Sequence, residues 1–303
     1  MEGSYSLERM RGWINCSEPV RLGSMRKFVE AFSDWGVQME SMQASYAMAE
    51  NVFAVTQTAM NQAPVTCSRE ELQSNVASYS NLAYDMVDRV YISSGKLLDG
   101  MELRIMDGDR ECSEREPGAI QLRSDCLFSG YWGADGFQES SLHDRWYDTG
   151  DYGFQVGEDT FVIGRMKDIV IVGGQNVFPE DVETVVNTQT GIYPGRVVAF
   201  GVEDTQYGTQ ALAIVAEMQG LYAPQIADSL AQQIRGLVLS AIGIAARHVA
   251  VVPERWIVKS TAGKISRRDT RRRFLEHFRT ESQQPQTQTE EQVLGQPERS
   301  VRA

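Results

Sequence analysis

The spacing of apolar residues changes along the chain, and the first part contains one clear helical stretch. Four apolar residues recur at helical spacing, at Met25, Phe28, Val29 and Phe32. This spacing predicts a helix, and Gly36 follows where a C-cap is expected. The segment "RGWINCSEPV" before it is typical of a short strand that enters a polar turn.

Short strands dominate the next part of the chain. The segments "RVYISSG", "MELRIMD", "AIQLRS" and "TFVIG" are separated by Asp, Gly and Pro. Strands this short, with turns this frequent, predict a small antiparallel sheet or a barrel.

The third part mixes strands with helices. "RVVAFGV", "ALAIVAEM" and "HVAVVP" predict strands, while "PQIADSLAQQIRGLVLSAI" predicts an amphipathic helix. The apolar positions of this helix recur every fourth residue, at Ile226, Leu230, Ile234 and Val238. "SRRDTRRRFLEHF" predicts another helix, because Ser266 and Asp269 are spaced as in a capping box. The apolar stripe of that helix consists of Phe274, Leu275 and Phe278.

The stretch from Gly164 to Glu183, "GRMKDIVIVGGQNVFPEDVE", combines charges, a β-branched run, two glycines and a helix start. With the residues before it, it predicts a β-hairpin whose polar tip is "GRMKD". Pro179 suits the first turn of the following helix, and the acidic residues after it complement the positive end of that helix. A purely structural interpretation is therefore sufficient for this stretch taken alone.

Composition narrows the function classes. The chain has 303 residues, 42% of them hydrophobic, and a formal net charge of −12, which argues against nucleic acid as the main partner. Its four cysteines form no CxxC pair, so we expect free thiols in a reducing compartment. No apolar run reaches the roughly 18 residues of a membrane-spanning helix, and the first residues lack the layout of a signal peptide. We therefore expect a cytoplasmic protein.

Four segments in one order carry a family resemblance. They are "SYAMAE" (45–50), "YDTGD" (147–151), "GRMKD" (164–168) and "KSTAGKISR" (259–267). With them the chain resembles the adenylate-forming enzymes, which include acyl-CoA synthetases, fatty acyl-AMP ligases and nonribosomal-peptide adenylation domains. "WINCSEPV", "SYAMAE" and "AGKISRR" are most similar to the fatty acyl-AMP ligase branch. The resemblance extends over residues 7–278.

The resemblance implies an ATP or AMP site with a bound Mg²⁺. Six residues match nucleotide-binding positions of the family: Ser17, Glu18, Pro19, Tyr46, Asp151 and Arg165. In the family the first three border the adenine, and the tyrosine lies against the adenine face. The aspartate accepts hydrogen bonds from both ribose hydroxyls, and the arginine reaches the ribose region. Glu50 matches the acid that helps to hold Mg²⁺ on the ATP phosphates.

The resemblance also implies a catalytic lysine and a moving domain. Lys264 matches the lysine of the adenylation half-reaction, and Lys167 matches the hinge of a small C-terminal domain. Gly173 and Gly174 match a loop that approaches the arm of the thiol acceptor, which is coenzyme A or a phosphopantetheine. A lysine suits adenylation because it offsets the repulsion between the carboxylate and the α-phosphate. An acceptor-only carboxylate suits a sugar diol, whose hydroxyls donate.

Each matched residue also has a plain structural interpretation. Tyr46 is compatible with a core position, Asp151 with a turn cap and Lys264 with a solvated loop. The run "RRDTRRR" is typical of a solvated helix face, with a phosphate or carrier-protein contact as the alternative.

The sequence also departs from the family pattern. Where the family usually has Gly, Glu, a basic residue and Pro, this chain has Ala47, Ala119, Asp148 and Val258. No Ser/Thr/Gly-rich phosphate loop of the "TSGTTG" kind occurs in these 303 residues. We therefore expect the C-terminal portion of a split or truncated enzyme, acting with a separate N-terminal half. Such a portion is expected to expose an apolar face that a partner covers.

These observations predict an α/β plus α+β fold in four parts. Residues 1–86 are expected to be the remnant of a large α/β N-terminal domain, and 87–166 a β-barrel-like subdomain. Residues 167–278 are expected to form an α+β lid domain after the hinge, and 279–303 a disordered tail. The predicted function is ATP- and Mg²⁺-dependent activation of a carboxylic acid, most simply a fatty acid, with transfer to coenzyme A or an acyl-carrier protein. The alternative is a catalytically inactive adenylation-like module that binds a partner or carrier protein.

Overall fold

The computed structural model describes residues 6–18, 20–68, 72, 90–140, 142–204, 208–261 and 263–279. Pro19 lies outside these residues, and so does the predicted tail, except for its first residue, Arg279, which ends a helix. The chain divides into two compact units, Met1–Ile257 and Val258–Ala303. The domain boundaries expected near residues 86 and 166 stay predictions.

A parallel strand pair begins the first unit. The early strands are β1 (Trp13–Cys16), β2 (Met42–Ala47), β3 (Ala54–Gln57), β4 (Thr66–Ser68), β5 (Val90–Ile92) and β6 (Lys96–Leu97). One sheet has the order β1-β2-β3-β6, and β4 pairs with β5. β1 and β2 are parallel, so helix α1 (Leu22–Phe32) makes the crossover between them.

Helix α1 is the helix that the sequence predicted. Met25 is buried against Val37, Met42 and Ala44, and the other apolar residues of its stripe pack around them. A short 3-10 turn follows the helix, and Gly36 then takes the left-handed conformation with φ of 93°. The apolar spacing and the C-cap are therefore both confirmed.

The strands of the second part form one larger sheet and a separate hairpin. Their bounds are β7 (Met101–Asp107), β8 (Arg110–Glu111), β9 (Gly118–Ser124), β10 (Gly130–Gly133), β11 (Gly136–Glu139), β12 (Leu142–His143), β13 (Trp146–Val156) and β14 (Asp159–Arg165). The sheet has the antiparallel order β12-β13-β9-β7-β8, with β14 also on β13, and β10 pairs only with β11. The short strands are confirmed, but among the described residues this sheet does not close into a barrel.

Two helices cover a three-stranded sheet in the third part. The elements are β15 (Val170–Val172), β16 (Gln175–Val177), α2 (Pro179–Val186), β17 (Ile192–Asp204), β18 (Thr209–Met218), α3 (Pro224–Ile242) and β19 (Ala246–Val252). β17, β18 and β19 form the sheet, with β18 and β19 parallel. Valine, isoleucine, leucine and alanine side chains from this sheet and from both helices share one buried core.

The apolar stripe of α3 is confirmed except at its first position. Leu230, Ile234 and Val238 are buried, but Ile226 is 55% exposed and Ala227 is buried instead. A strict four-residue spacing drifts around a helix that has 3.6 residues per turn, so the two ends of the stripe cannot face the same core.

The hairpin predicted with its tip at "GRMKD" is wrong. β14 ends at Arg165 and pairs back to β13, and residues 166–168 form a 3-10 turn. The hairpin here is β15–β16, whose tip consists of Gly173 and Gly174 with φ of 57° and 81°. Two glycines at positive φ suit the tight two-residue turns that match strand twist, whereas Met166, Lys167 and Asp168 would be strained there.

The second unit contains a small loop and one basic helix. Lys259 and Ile265 form an isolated bridge, and the N–H of Ser260 donates to the carbonyl oxygen of Lys264 at 2.7 Å. Helix α4 (Arg267–Arg279) begins after Ser266. The backbone N–H of Asp269 donates to Oγ of Ser266, whose hydroxyl donates to Oδ2 of Asp269 at 2.6 Å, so the N-cap half of the predicted capping box is confirmed. The reciprocal bond is not formed, because the N–H of Ser266 donates to the carbonyl oxygen of Val258.

The stripe predicted for α4 is confirmed in part. Phe274 is 5% exposed and Leu275 is half-buried, while the side chain of Phe278 lies outside the described residues. In the described part of the chain, no helix is long and apolar enough to cross a membrane.

Candidate functional site

Asp151 is the centre of the candidate site, and a strand irregularity places it there. Along β13 and β14 the register shifts by one residue between Tyr152 and Gly153. The shift brings Arg165 directly opposite Asp151, where a regular ladder would have placed Gly164. Nε of Arg165 lies 3.0 Å from Oδ1 of Asp151. Bulges of this kind often re-aim a side chain beside a functional site.

Tyr46 connects the β1-β2-β3-β6 sheet to this ion pair. It lies on β2, where its ring is 7% exposed and packs with Val55, Ile120 and Leu122. Its hydroxyl donates a hydrogen bond of 2.6 Å to Oδ2 of Asp151. The structure therefore brings Tyr46, Asp151 and Arg165 into direct contact, although residues 46 and 151 are far apart in the sequence.

Opposing effects act on the pKa of the Asp151 carboxyl group. Burial raises its pKa, because the charged form loses solvation, and the nearby charge of Glu50 acts in the same direction. The hydrogen bond from Tyr46 and the positive charges of Arg165 and Lys167 lower it. Burial, followed by the charge of Asp151, raises the pKa of the Tyr46 phenol well above its usual value, so this hydroxyl stays a neutral donor.

Glu50 lies in a short 3-10 turn (Ala49–Asn51) just after β2. Its Oε1 accepts a hydrogen bond of 2.6 Å from the hydroxyl of Tyr131. Its carbonyl oxygen accepts the N–H of Phe128 at 2.8 Å. The charge of Glu50 influences Asp151, so both carboxylates belong to the same region of the first unit.

Ser17 and Glu18 follow the carboxyl end of β1. Cys16 pairs with Ser45 in the parallel ladder, so the residues after β1 and after Ser45 leave the sheet at the same edge. Ligands in open α/β sheets bind outside the carboxyl ends of strands. Ser17 has φ of 70°, which marks a sharp turn, and both Ser17 and Glu18 are exposed.

One of the family departures, Asp148, has a local explanation. Asp148, where a basic residue is usual, is exposed, and its Oδ1 accepts the N–H of Gly150 at 3.2 Å. This is the side-chain turn that Asp favours. The hydroxyl of Thr149 donates to the carbonyl oxygen of Ile120 at 2.7 Å and accepts the N–H of Asp151 at 3.1 Å. The turn before Asp151 is thus fixed without a charge at position 148.

The predicted hinge and thiol-arm loop follow the site along the chain. Lys167 is exposed in the 3-10 turn after β14. The Gly173–Gly174 tip is also exposed, and β-carbons added there would meet no atom within 4 Å. The N–H of Gly173 donates to Oγ1 of Thr209 at 3.2 Å, and that hydroxyl donates to the carbonyl oxygen of Ile171. The base of the tip is therefore tied to β18.

Lys264 belongs to the second compact unit. It is exposed at the end of the loop that closes with the Lys259–Ile265 bridge. Gly263 precedes it with φ of 80°, and the N–H of Gly263 donates to the carbonyl oxygen of Ser260 at 2.9 Å. Gly263 and this hydrogen bond fix the backbone directly before the lysine.

The donor set of this region is compatible with one Mg²⁺. Mg²⁺ on a nucleotide usually takes one or two protein carboxylates, while phosphate oxygens and water supply the rest. Glu50, with Asp151 nearby, meets that requirement. No group of three or more His, Cys, Asp or Glu side chains suited to a metal occurs in the described part of the chain.

Sequence reasoning missed Tyr131, and it noted Tyr147 only as the first residue of "YDTGD"; the two hydroxyls lie 3.3 Å apart. No short spacing connects either residue to Glu50. For Tyr131 the available signal was the aromatic and Gly-rich composition of "FSGYWG".

Comparison with known proteins supports the resemblance. The chain is 28% identical over 320 residues to the long-chain-fatty-acid–AMP ligase FadD32 of Mycobacterium marinum, covering 91% of this chain and 50% of that protein. It is 32% identical over 276 residues to FadD30 of Mycobacterium tuberculosis, which is named as a long-chain-fatty-acid–AMP ligase. This match covers 84% of this chain and 46% of that protein. Its homologues and structural neighbours are adenylate-forming enzymes. No protein-family model matches the chain.

Solved structures of adenylate-forming enzymes share the fold. A chain from a study of fatty acyl-adenylate ligases of E. coli and L. pneumophila superposes with a TM-score of 0.75 at 23% identity, over 91% of this chain and 49% of that one. A module that selects keto acids in nonribosomal peptide synthesis superposes with a TM-score of 0.76 at 23% identity, over 93% of this chain and 24% of that one. The chain spans about half the length of the curated relatives it matches. The α/β class is confirmed by these likenesses.

Proposed function

We propose that this chain supplies the nucleoside-binding residues and the catalytic lysine of an enzyme that activates a carboxylic acid as an acyl-adenylate. The observation that carries the proposal is the Asp151 carboxylate, held between the hydroxyl of Tyr46 at 2.6 Å and Nε of Arg165 at 3.0 Å. A buried carboxylate that two donors hold in place is oriented to accept hydrogen bonds from the hydroxyls of a ribose. Relatives named fatty-acid–AMP ligases support an acyl-adenylate as the product.

The residues divide the work of nucleotide binding. Asp151 still has acceptor capacity after its two contacts, because a carboxylate has about four lone-pair sites. The 2′- and 3′-hydroxyls of the ribose would donate to it. Arg165 would offset the negative charge that remains beside the sugar. Tyr46, whose side chain is almost fully buried, would border the base with the edge of its ring. Ser17 and Glu18 would lie at the adenine.

Lys264 would act on the reacting atoms. When a carboxylate attacks the α-phosphate, the bond to pyrophosphate breaks and negative charge grows on the phosphate oxygens. A lysine ammonium beside both anions lowers that barrier. Glu50 would hold Mg²⁺, which when bound neutralises phosphate charge.

Thiol transfer is the second half of the proposal. The Gly173–Gly174 tip is exposed and unobstructed, as a loop that lies along a thin phosphopantetheine or coenzyme A arm should be. Lys167 is proposed as the hinge that separates the two half-reactions. One relative, JamA of Moorena producens, is named a medium-chain-fatty-acid–[acyl-carrier-protein] ligase, and it is 26% identical over 288 residues. This supports an acid of the fatty type and a carrier-protein acceptor.

Titration of the chain with AMP tests the nucleoside site. Asp151→Asn removes one anionic acceptor, and hydrogen bonds to charged groups contribute about 1.5–3 kcal/mol. We therefore expect calorimetry to show AMP affinity about tenfold or more weaker for this variant. Asp148→Asn is the matched control, because it removes a neighbouring exposed charge and keeps the turn-forming oxygen, so its AMP affinity should change little.

A catalytically inactive adenylation-like module is the second candidate. The contacts of Tyr46 favour this candidate. Its ring packs in the core and its hydroxyl already donates to Oδ2 of Asp151, which is also what a hydrogen bond with a purely structural role would look like. In that case the chain would bind AMP weakly or not at all, and Asp151→Asn would leave the titration unchanged.

A further inference from the structure

Glu50 is held at two points by one segment of the chain. The N–H of Phe128 fixes its carbonyl oxygen at 2.8 Å, and the hydroxyl of Tyr131 fixes its Oε1 at 2.6 Å. Backbone and side chain are therefore restrained together, by residues that precede and begin hairpin β10–β11.

Aromatic packing fixes the position of the Tyr131 hydroxyl. The ring of Phe128 stands edge-on to the rings of Tyr131 and Tyr147, with centroid distances of 4.6 Å and 5.4 Å. The hydroxyls of Tyr131 and Tyr147 lie 3.3 Å apart, so Tyr147 supports the donor from the other side. The side chain of Tyr131 is 51% exposed. Burial of the ring therefore does not account for a tyrosine at this position.

The backbone after Glu50 is strained. Val52 has φ of 65° and ψ of −55°, and the N–H of Phe53 donates to the carbonyl oxygen of Asn51 at 2.7 Å. This is a γ-turn of the rare, strained form, here at a β-branched residue. The Asn51 side chain is 2% exposed and donates to the carbonyl oxygen of Ala54 at 3.2 Å. Strain of this kind persists where the surroundings over-determine a geometry, and it clusters at functional sites.

We propose that Tyr131 is a positioning residue for Glu50: it occupies Oε1 so that the carboxylate offers a single oxygen to the Mg²⁺ of a bound nucleotide. This inference rests on the proposed function, since a nucleotide phosphate brings the cation to Glu50. Mg²⁺ requires near-ideal octahedral geometry, whereas Ca²⁺ accepts a carboxylate through both oxygens. The Tyr131 hydroxyl therefore favours Mg²⁺ over Ca²⁺ at this carboxylate.

Calorimetric titrations with three ligands test the proposal: ATP with Mg²⁺, ATP with Ca²⁺, and AMP without metal. Tyr131→Phe removes the hydroxyl and keeps the ring against Phe128. It should weaken binding of ATP with Mg²⁺ by up to about tenfold, because a Glu50 side chain that is no longer restrained has to be ordered when the cation binds. Binding with Ca²⁺ should weaken less, and AMP affinity should stay within about twofold. Tyr222→Phe, in the loop between β18 and α3, is the control and should change none of the three.

A ligand-free measurement checks the contact itself. The melting temperatures of Tyr131→Phe, Glu50→Ala and the double variant form a cycle. If the hydroxyl restrains Glu50, the shifts should depart from additivity by about 2 °C or more. Additive shifts would overturn the proposal.

The titrations also separate this proposal from the function on which it rests. If AMP binds the parent chain and Tyr131→Phe keeps its affinity for ATP with Mg²⁺, the positioning role alone is overturned. Equal losses for AMP and for ATP with Mg²⁺ would show a general structural role and overturn it too. If AMP fails to bind the parent chain, the nucleoside site fails, and the role of Tyr131 fails with it.

Discussion

At the scale of residues, Asp151 shows the cost of placing an anionic hydrogen-bond acceptor in a folded interior. Asp151 is 7% exposed, and burial raises the pKa of its carboxyl group despite the two donors that hold it. The charged form is therefore kept at the expense of stability. A group with a raised folded-state pKa contributes most to stability at low pH, and this contribution is lost as pH rises through that pKa.

Asp151→Asn tests this balance. The variant cannot titrate at position 151, so the parent chain should gain stability relative to it as pH falls from 7 towards 4. Thermal unfolding of both chains across that range measures the difference. A parent chain that loses stability relative to the variant on acidification would show a lowered pKa and contradict this account.

The sequence predicted this site unevenly at the residue scale. Family resemblance pointed to Tyr46, Glu50, Asp151 and Arg165, and the structure brings three of them into direct contact. The sequence could not reveal the bulge at Tyr152, because a one-residue shift depends on how both strands pack. Nor could it reveal the contact between Glu50 and Tyr131, which are 81 residues apart.

At the scale of elements, the strongest local signals were those with a single physical cause. Helix α1 and the cap at Ser266 follow from spacing and hydrogen-bonding chemistry, and both are confirmed. The predicted "GRMKD" hairpin is wrong because a run of charged residues does not decide where a tight turn forms. Backbone conformation decides a two-residue turn, and Gly173 and Gly174 supply it.

Two loop variants should separate the half-reactions in an enzyme assembled with a phosphate-loop segment. Lys264→Ala should reduce adenylation on the order of 10²–10³-fold, as when one preorganised transition-state donor is removed. Thioester formation from preformed acyl-AMP should fall far less.

Lys167→Pro should give the opposite result. Proline fixes φ at the proposed hinge, so the thiol step should be lost while adenylation is kept. Both half-reactions are measured on both variants. Equal losses in the two steps for Lys264→Ala would mean that this lysine has a structural role.

At the scale of the whole molecule, the chain is related over 91% of its length to an enzyme twice as long. The 303 residues contain segments that match the adenine, ribose and catalytic-lysine motifs of the family, but no "TSGTTG"-type loop. Backbone N–H groups of such a loop would bind the β- and γ-phosphates. We therefore expect these 303 residues alone to bind ATP weakly and to form little acyl-AMP.

Acid-dependent exchange of labelled pyrophosphate into ATP tests the central claim most directly. It is measured on the 303-residue chain, on the chain combined with a phosphate-loop segment of a fatty acyl-AMP ligase, and on the same combination with Lys264→Ala. We expect exchange only in the combination, and we expect it to depend on a fatty acid and to be nearly abolished by Lys264→Ala. Robust exchange by the chain alone, or exchange in the combination that survives Lys264→Ala, would contradict it.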